Sequence, residues 1–215
     1  MRLNLTADDV LTTTRAVRKR LDFDRPVERA VLEECLQIAL QAPTGSNRQG
    51  WQWIFVTDPD LKAALADIYR PNFEAYRRMV ANASYPDGDA RAARVSKVYD
   101  SASYLAEHFH RVPVILVPCV EGTRDPLPGA ASASMWGSLL PAVWSFMLAA
   151  RERGLGTAWT TLHLLNNGDN EAAHVLGIPP GWVQAGMFPI AYTVGTDFKP
   201  AARRPIDDLV HWDRW

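Results

Sequence analysis

Apolar positions recur along the chain at two spacings, every three to four residues or nearly without interruption, and the alternation between them sets out the elements. Thr6, Asp8 and Asp9 open the first periodic stretch. Thr6 is placed to cap a helix and Asp9 to complete a capping box, so a helix is predicted through about residue 17. Residues 22–26 punctuate the chain. Val31, Cys35, Ile38, Ala39 and Ala42 then return at helical spacing, which predicts a second amphipathic helix over 27–41, ended by Pro43. A polar, glycine-bearing loop leads into a strand over 51–57, closed by Asp58 and Pro59.

A short helix is predicted over 59–69. Residues 70–92 are rich in Pro, Gly, Asn, Asp and Arg but carry isolated rings at Phe73, Tyr76 and Tyr85. Such a segment is a candidate lid over a site or an ordered surface loop. Helical spacing resumes over 93–110 through Val95, Val98, Ala102 and Leu105, and the short apolar run 112–120 reads as a central strand covered on both faces. Residues 134–151 are apolar around most of a helix circumference and must be buried on several sides. A twin helix across a symmetric dimer interface is one solution. Trp144 is expected to be buried there, with truncation costing about 3–5 kcal/mol, and Pro141 is expected to kink the helix or cost it one hydrogen bond. Two further strands, around LGTAWTT and GMFPIAYTVG, flank a short helix over 169–176. The pattern predicts one α+β domain over 1–215, with a mixed, mostly antiparallel central sheet wrapped by helices. The polar tail with Trp212 and Trp215 gains stability only by lying on its own surface or a partner's.

Charge changes the picture by exclusion. With 23 Lys+Arg against 24 Asp+Glu, the chain has no global field to attract a polyanion, so nucleic acid is not an expected partner. Cys35 and Cys119 lie far apart in apolar stretches and read as core residues. The N-terminus carries acids where a signal peptide needs an apolar run, and no stretch is read as the 18 to 20 apolar residues that span a bilayer. A cytoplasmic protein with no membrane partner is expected.

Familiar catalytic constellations are missing: no GxSxG, GxxxxGK[ST], HExxH or CxxC occurs. His108 and His110 fall on different helical faces with no cysteine nearby, so no metal site is expected. His163 reads as a hydrogen-bonded core histidine. Hydrogen-bonding groups instead cluster at 14–18 (TRAVR), 43–47 (PTGSN) and 203–204 (RR). An anionic, planar cofactor needs such a set: arginines for a phosphate, short polar side chains for a polyol and ring edge, and a glycine for close approach.

RAVRKR at 15–20, QAPTGSNRQGWQW at 41–53, RGLGTAWTTLH at 153–163 and FKPAARRP at 198–205 resemble the nitroreductase family of flavoproteins, in the same order and at similar separations. The resemblance implies an intertwined α+β homodimer with FMN in two sites at the interface. It implies that Arg15, with Ala16 beside it, approaches the FMN phosphate, and that Arg18 approaches the ribityl and pyrimidine end, where it stabilises negative charge. Pro43, Thr44, Gly45, Ser46 and Asn47 would lie along the isoalloxazine and ribityl, with Gln49 behind them. Trp159, Thr160, Thr161 and Leu162 would present backbone amides toward N5, and Arg203, with Arg204 its neighbour, would bind phosphate from a C-terminal extension (196–215) crossing to the partner. Many family members carry Arg before Arg15 and Ser after it, where this chain has Thr14 and Ala16, so one charged donor and one hydroxyl are missing.

The activity implied is transfer of reducing equivalents from NAD(P)H through flavin N5 to a nitroaromatic, quinone or similar planar acceptor, by ping-pong kinetics, with no side-chain nucleophile. Phe73, Tyr76, Tyr85 and Tyr104 are candidate walls for that acceptor. The same fold working with a deazaflavin or on another substrate, and a non-catalytic flavin-storage protein, are the competing readings.

Overall fold

The structure is a computed structural model describing residues 2–80, 85, 89, 92–123 and 128–215. Among these, helices α1 (Ala7–Thr13), α2 (Arg29–Ala39), α3 (Pro59–Val80), α4 (Ala92–His108), α5 (Gly129–Glu152) and α6 (Gly168–Leu176) surround strands β1 (Trp51–Val56), β2 (Val114–Glu121), β3 (Leu155–Thr157), β4 (Trp182–Gln184) and β5 (Phe188–Tyr192). The sheet order is β1-β2-β5-β3, with β4 also on β2, and every strand pair is antiparallel.

β2 explains the layering. Its residues are buried from Val114 to Val120, and the pleat divides them between two cores. Ile115, Val117 and Cys119 join Leu65, Tyr69, Phe73 and Phe109 on the α3 side. Val114, Leu116 and Val120 join Leu32, Cys35, Val143 and Phe146 on the α2 and α5 side. A strand coated on both faces has no polar positions to alternate, which is why its sequence is a continuous apolar run.

The Thr6 capping box forms as expected, with the Asp9 amide donating to Thr6 Oγ1 at 3.1 Å. α1 nevertheless ends at Thr13 rather than near 17. From Thr14 the backbone is extended, and this segment lies along β3: Ala16 bridges Thr157 in parallel and the Val17 amide donates to the Thr157 carbonyl at 2.8 Å. Sheet hydrogen bonds replace the last helical turn. Gly156 makes the approach feasible, because a Cβ there would lie 2.9 Å from Val17 Cβ and 2.7 Å from Thr193 Cγ2.

α3 continues past the expected end at 69, through Pro71 to Val80. Its buried face, Leu65, Ile68, Tyr69, Asn72 and Phe73, keeps helical spacing across the proline. Asn72 Nδ2 donates to the Ile68 and Leu165 carbonyls, tying the turn to the α6 side. Of the candidate lid at 70–92, residues 70–80 are therefore helical, and apart from Tyr85, Asp89 and Ala92 the rest lies outside the described residues. The three-residue strand β4 was too short to leave a pattern in the sequence.

α5 starts five residues earlier than predicted and runs unbroken through Pro141. By length and composition, with a mean hydropathy of 1.3, it could cross a membrane, contrary to the expectation that no stretch would. Leu139, Val143 and Phe146 are buried in the protein. Trp144 is not: 37% of it is exposed, because it lies on the helix face turned away from the α2 and sheet core. The expected burial of Trp144 does not hold within one chain.

Candidate functional site

Two separate groups of predicted site residues emerge. The first is built by the N-terminal segment beside β3. Pairing of Ala16 and Val17 with Thr157 brings Arg15 and Arg18 next to the chain leaving β3, residues 159–162. Arg18, Trp159, Thr160, Thr161 and Leu162 line one cavity of about 210 Å³. Phe73, Tyr76 and Tyr99 contribute aromatic walls, and Tyr69 completes them. Phe73 and Tyr76 were candidate walls from sequence. Tyr104 does not line this cavity but stacks on His108 at 4.4 Å, and Tyr85 lines a neighbouring cavity that shares Tyr99.

The backbone of 159–162 divides its donors. Thr160 exchanges both hydrogen bonds with Met187, at 3.0 and 2.8 Å, and the Leu162 amide donates to Thr160 Oγ1 at 3.4 Å. Those two amides are engaged. The Trp159 and Thr161 amides have no hydrogen-bond partner among the described residues, which narrows the expected set of four donors to two. The Trp159 indole donates to the Ala185 carbonyl at 3.2 Å and packs on Phe188, fixing the segment to the sheet.

Arg15 Nε and Nη2 are buried with no hydrogen-bond partner among the described residues. Burial and the positive charges of Arg94 and Arg203 all depress its pKa. Arg94 and Arg203 thus each act on the Arg15 guanidinium with like charge, an effect that a bound anion would relieve. Arg94, in the first turn of α4, was missed from the sequence because its proximity to Arg15 comes only from the fold. Arg203 is exposed and otherwise bonds the Ala202 carbonyl next to it. Arg204 instead reaches Asp208 within the tail at 3.9 Å. Burial also lowers the pKa of Arg18, opposed by Tyr69.

The second group is the loop at 43–49. Gly45 docks it on α5, its amide donating to Ser138 Oγ at 2.9 Å. Gln49 closes the loop through Thr44 Oγ1 and Asn47 Oδ1, at 3.2 and 3.1 Å. Ser46, Asn47 and Gln49 take φ of 52°, 53° and 51°, left-handed values that cost such residues energy and concentrate at ligand-holding loops. Thr44 and Gly45 line a cavity with Ser134 and Ser138 that shares no residue with the Arg18 cavity. Within one chain, then, the 43–49 loop does not join Arg15, Arg18 and 159–162. Pro43, Ser46, Asn47 and Gln49 are exposed.

His163 is buried, its Nε2 paired with Gln184 Oε1 at 3.1 Å, and its Nδ1 lacks a partner among the described residues. Among those residues no group of three His, Cys, Asp or Glu side chains is arranged to hold a metal.

The Nitroreductase family model matches residues 11–192. The chain belongs to the nitroreductase family. Solved structures share the fold of this nitroreductase-family enzyme over nearly its whole length. A nitroreductase-like family protein from Bacillus cereus is 22% identical, with coverage of 99% of this chain and 98% of that one and a TM-score of 0.66. An oxidized iodotyrosine deiodinase bound to FMN and 3-iodo-L-tyrosine is 21% identical, covering 98% and 100%, with a TM-score of 0.71. An FMN and NADPH-dependent nitroreductase from Sphigopyxis sp. strain HMH is 22% identical, covering 98% and 100%, with a TM-score of 0.70. The nitroreductase motifs quoted from the sequence fall on the N-terminal segment, the 43–49 loop and the 159–162 segment that build the two groups described above.

Proposed function

We propose that this nitroreductase-family chain is an FMN-dependent oxidoreductase that takes reducing equivalents from NAD(P)H and passes them to a nitroaromatic, quinone or similar planar acceptor. The observation that carries this reading is Arg15: two buried donors without a partner among the described residues, under the charges of Arg94 and Arg203, three residues from an arginine that lines an aromatic cavity. The donor set fits a phosphorylated isoalloxazine. Arg15, Arg203 and Arg94 would hold the phosphate by charge-assisted hydrogen bonds. Arg18 would stabilise negative charge at the pyrimidine end, and the free amides of Trp159 and Thr161 would face the ring's central edge. Bound FMN would supply hydride acceptance and return at N5, chemistry that side chains lack.

The residues' part is binding, orientation and exclusion of water. Donor and acceptor would use the Tyr76 and Tyr99 walls in turn, which gives ping-pong kinetics. The 43–49 loop, exposed and remote from the Arg18 cavity, would complete the site from a second copy of the chain. Trp144 on α5 and the exposed tail tryptophans Trp212 and Trp215 supply apolar surface for that homodimer. Unpaired, buried Cys35 and Cys119 suit a cytoplasmic setting.

Native mass and visible spectrum of the purified protein, followed by anaerobic addition of NADH or NADPH, test the reading. A dimer with one flavin per chain that bleaches with a nicotinamide and recovers with a quinone is expected. A colourless monomer that takes up no FMN would overturn it. A bound flavin that no nicotinamide reduces would point to storage, and a deazaflavin spectrum to the alternative cofactor.

A further inference from the structure

Ser138 lies inside the apolar helix α5, where serine is a poorer helix former than alanine. Its hydroxyl is used twice. It donates to the Ser134 carbonyl one turn back, at 2.7 Å, and accepts the Gly45 amide, at 2.9 Å. With the proton committed to the helix, the oxygen is left to face the 43–49 loop as an acceptor. Among the described residues this is the one hydrogen bond that ties residues 43–47 to another element. The loop's other bonds are internal: the Asn47 amide donates to the Thr44 carbonyl at 3.0 Å, the Arg48 amide to the Gly45 carbonyl at 3.1 Å, and Gln49 bonds Thr44 and Asn47. Farther along, Arg48 reaches Glu121 at 3.4 Å, an exposed ion pair that holds weakly. Gly45 lets the loop sit close, since a Cβ there would lie 2.8 Å from Ser134 Oγ. The left-handed backbone at Ser46, Asn47 and Gln49 persists only where its surroundings hold it, and Ser138 is the hold on the α5 side.

We propose that Ser138 is a positioning residue of the cofactor loop: its hydroxyl, oriented by the Ser134 carbonyl, pins Gly45 and so fixes the loop on α5 in the shape that holds the flavin. This rests on the FMN reading above, in which the 43–49 loop completes the site from a second copy of the chain. Ser138 touches neither cofactor nor substrate in this role. Its loss should therefore free the loop and weaken cofactor binding while α5 itself stays folded.

The test compares Ser138→Ala, which removes the acceptor, with Ser138→Thr, whose hydroxyl can still bond the carbonyl one turn back. Its readouts are hydrogen exchange of the Gly45 amide by NMR, FMN dissociation constant, thermal midpoint of the apoprotein and native mass. In Ser138→Ala the Gly45 amide is expected to exchange faster and FMN to bind about fivefold more weakly, the worth of one ordinary hydrogen bond. Its thermal midpoint and native mass should match those of the parent, because alanine suits the helix at least as well. Ser138→Thr should bind FMN within about twofold of the parent. Parental FMN affinity in Ser138→Ala would overturn the proposal. Equal losses in the two variants would do the same, as would weaker binding that arises only because the variant falls apart into monomers. Parental protein that takes up no FMN would overturn the cofactor reading instead, so the two failures are distinguishable.

Discussion

Replacing Arg15 by alanine separates a binding role from a structural one. The guanidinium has two buried donors with no partner among the described residues, and the charges of Arg94 and Arg203 repel it. Arg15→Ala should leave the flavin-free protein as stable as before or more so, as expected for a strained functional group. FMN affinity should fall about 10- to 100-fold, the loss of a charge-assisted hydrogen bond worth about 1.5–3 kcal/mol. Urea unfolding of the apoprotein beside FMN titration checks both signs. His163 makes the opposite kind of prediction. Burial lowers its pKa from 6.5 to about 4, with Gln184 and Asp169 opposing the shift. The unfolded chain binds the proton first, so this contribution is full above about pH 6.5 and is lost as pH falls toward 4. It amounts to about 3 kcal/mol at most. Unfolding midpoints between pH 7 and 4 should fall less steeply for His163→Gln than for the parent protein, and equal slopes would count against the assignment.

At the scale of elements, the extended segment after α1 depends on a glycine in the neighbouring strand. Gly156→Ala would press a methyl group against Val17 and Thr193, at 2.9 and 2.7 Å. A loss of about 1–3 kcal/mol is expected, accompanied by weaker FMN retention because Arg15 and Arg18 travel with Val17. A stability loss with unchanged FMN binding would show that the segment can shift without carrying the arginines. α5 yields a second prediction. With 37% of its side chain exposed in one chain, Trp144 should contribute about 1 kcal/mol to folding rather than the value for a fully buried ring. Trp144→Ala should mainly weaken dimerisation, seen as a concentration-dependent mass in sedimentation. Amphipathic periodicity located α2, α4 and α6 to within a few residues because each has one buried stripe. It placed the end of α3 too early because Pro71 and the polar residues after it resemble a loop locally, while Asn72 and Phe73 still face the core. It could not orient α5, since an apolar residue on every side carries no directional signal.

Over the whole molecule, parallel pairing of Ala16 with Thr157 brings the N-terminal segment to β3 across more than a hundred residues of sequence, and this assembles Arg18 with 159–162 in one cavity. The four motifs resembled the nitroreductase family before any coordinates, so the residue types of the candidate site were legible. Their division into two groups was not, because order along the chain does not say which segments share a wall. Arg94 and Tyr69 stayed hidden for the same reason: each is unremarkable in its own helix and gains meaning only from residues far away in sequence. The two-faced sheet also equips the protein with a pair of internal reporters. Cys35 sits in the core on the α2 side and Cys119 in the core on the α3 side, both thiols pushed up to about 11 by burial. Alkylating agents can therefore capture them only when a layer swings open. If Cys119 is modified well before Cys35, the α3 layer opens independently of the other; matching capture rates for the two sulfurs would mean that the layers part together.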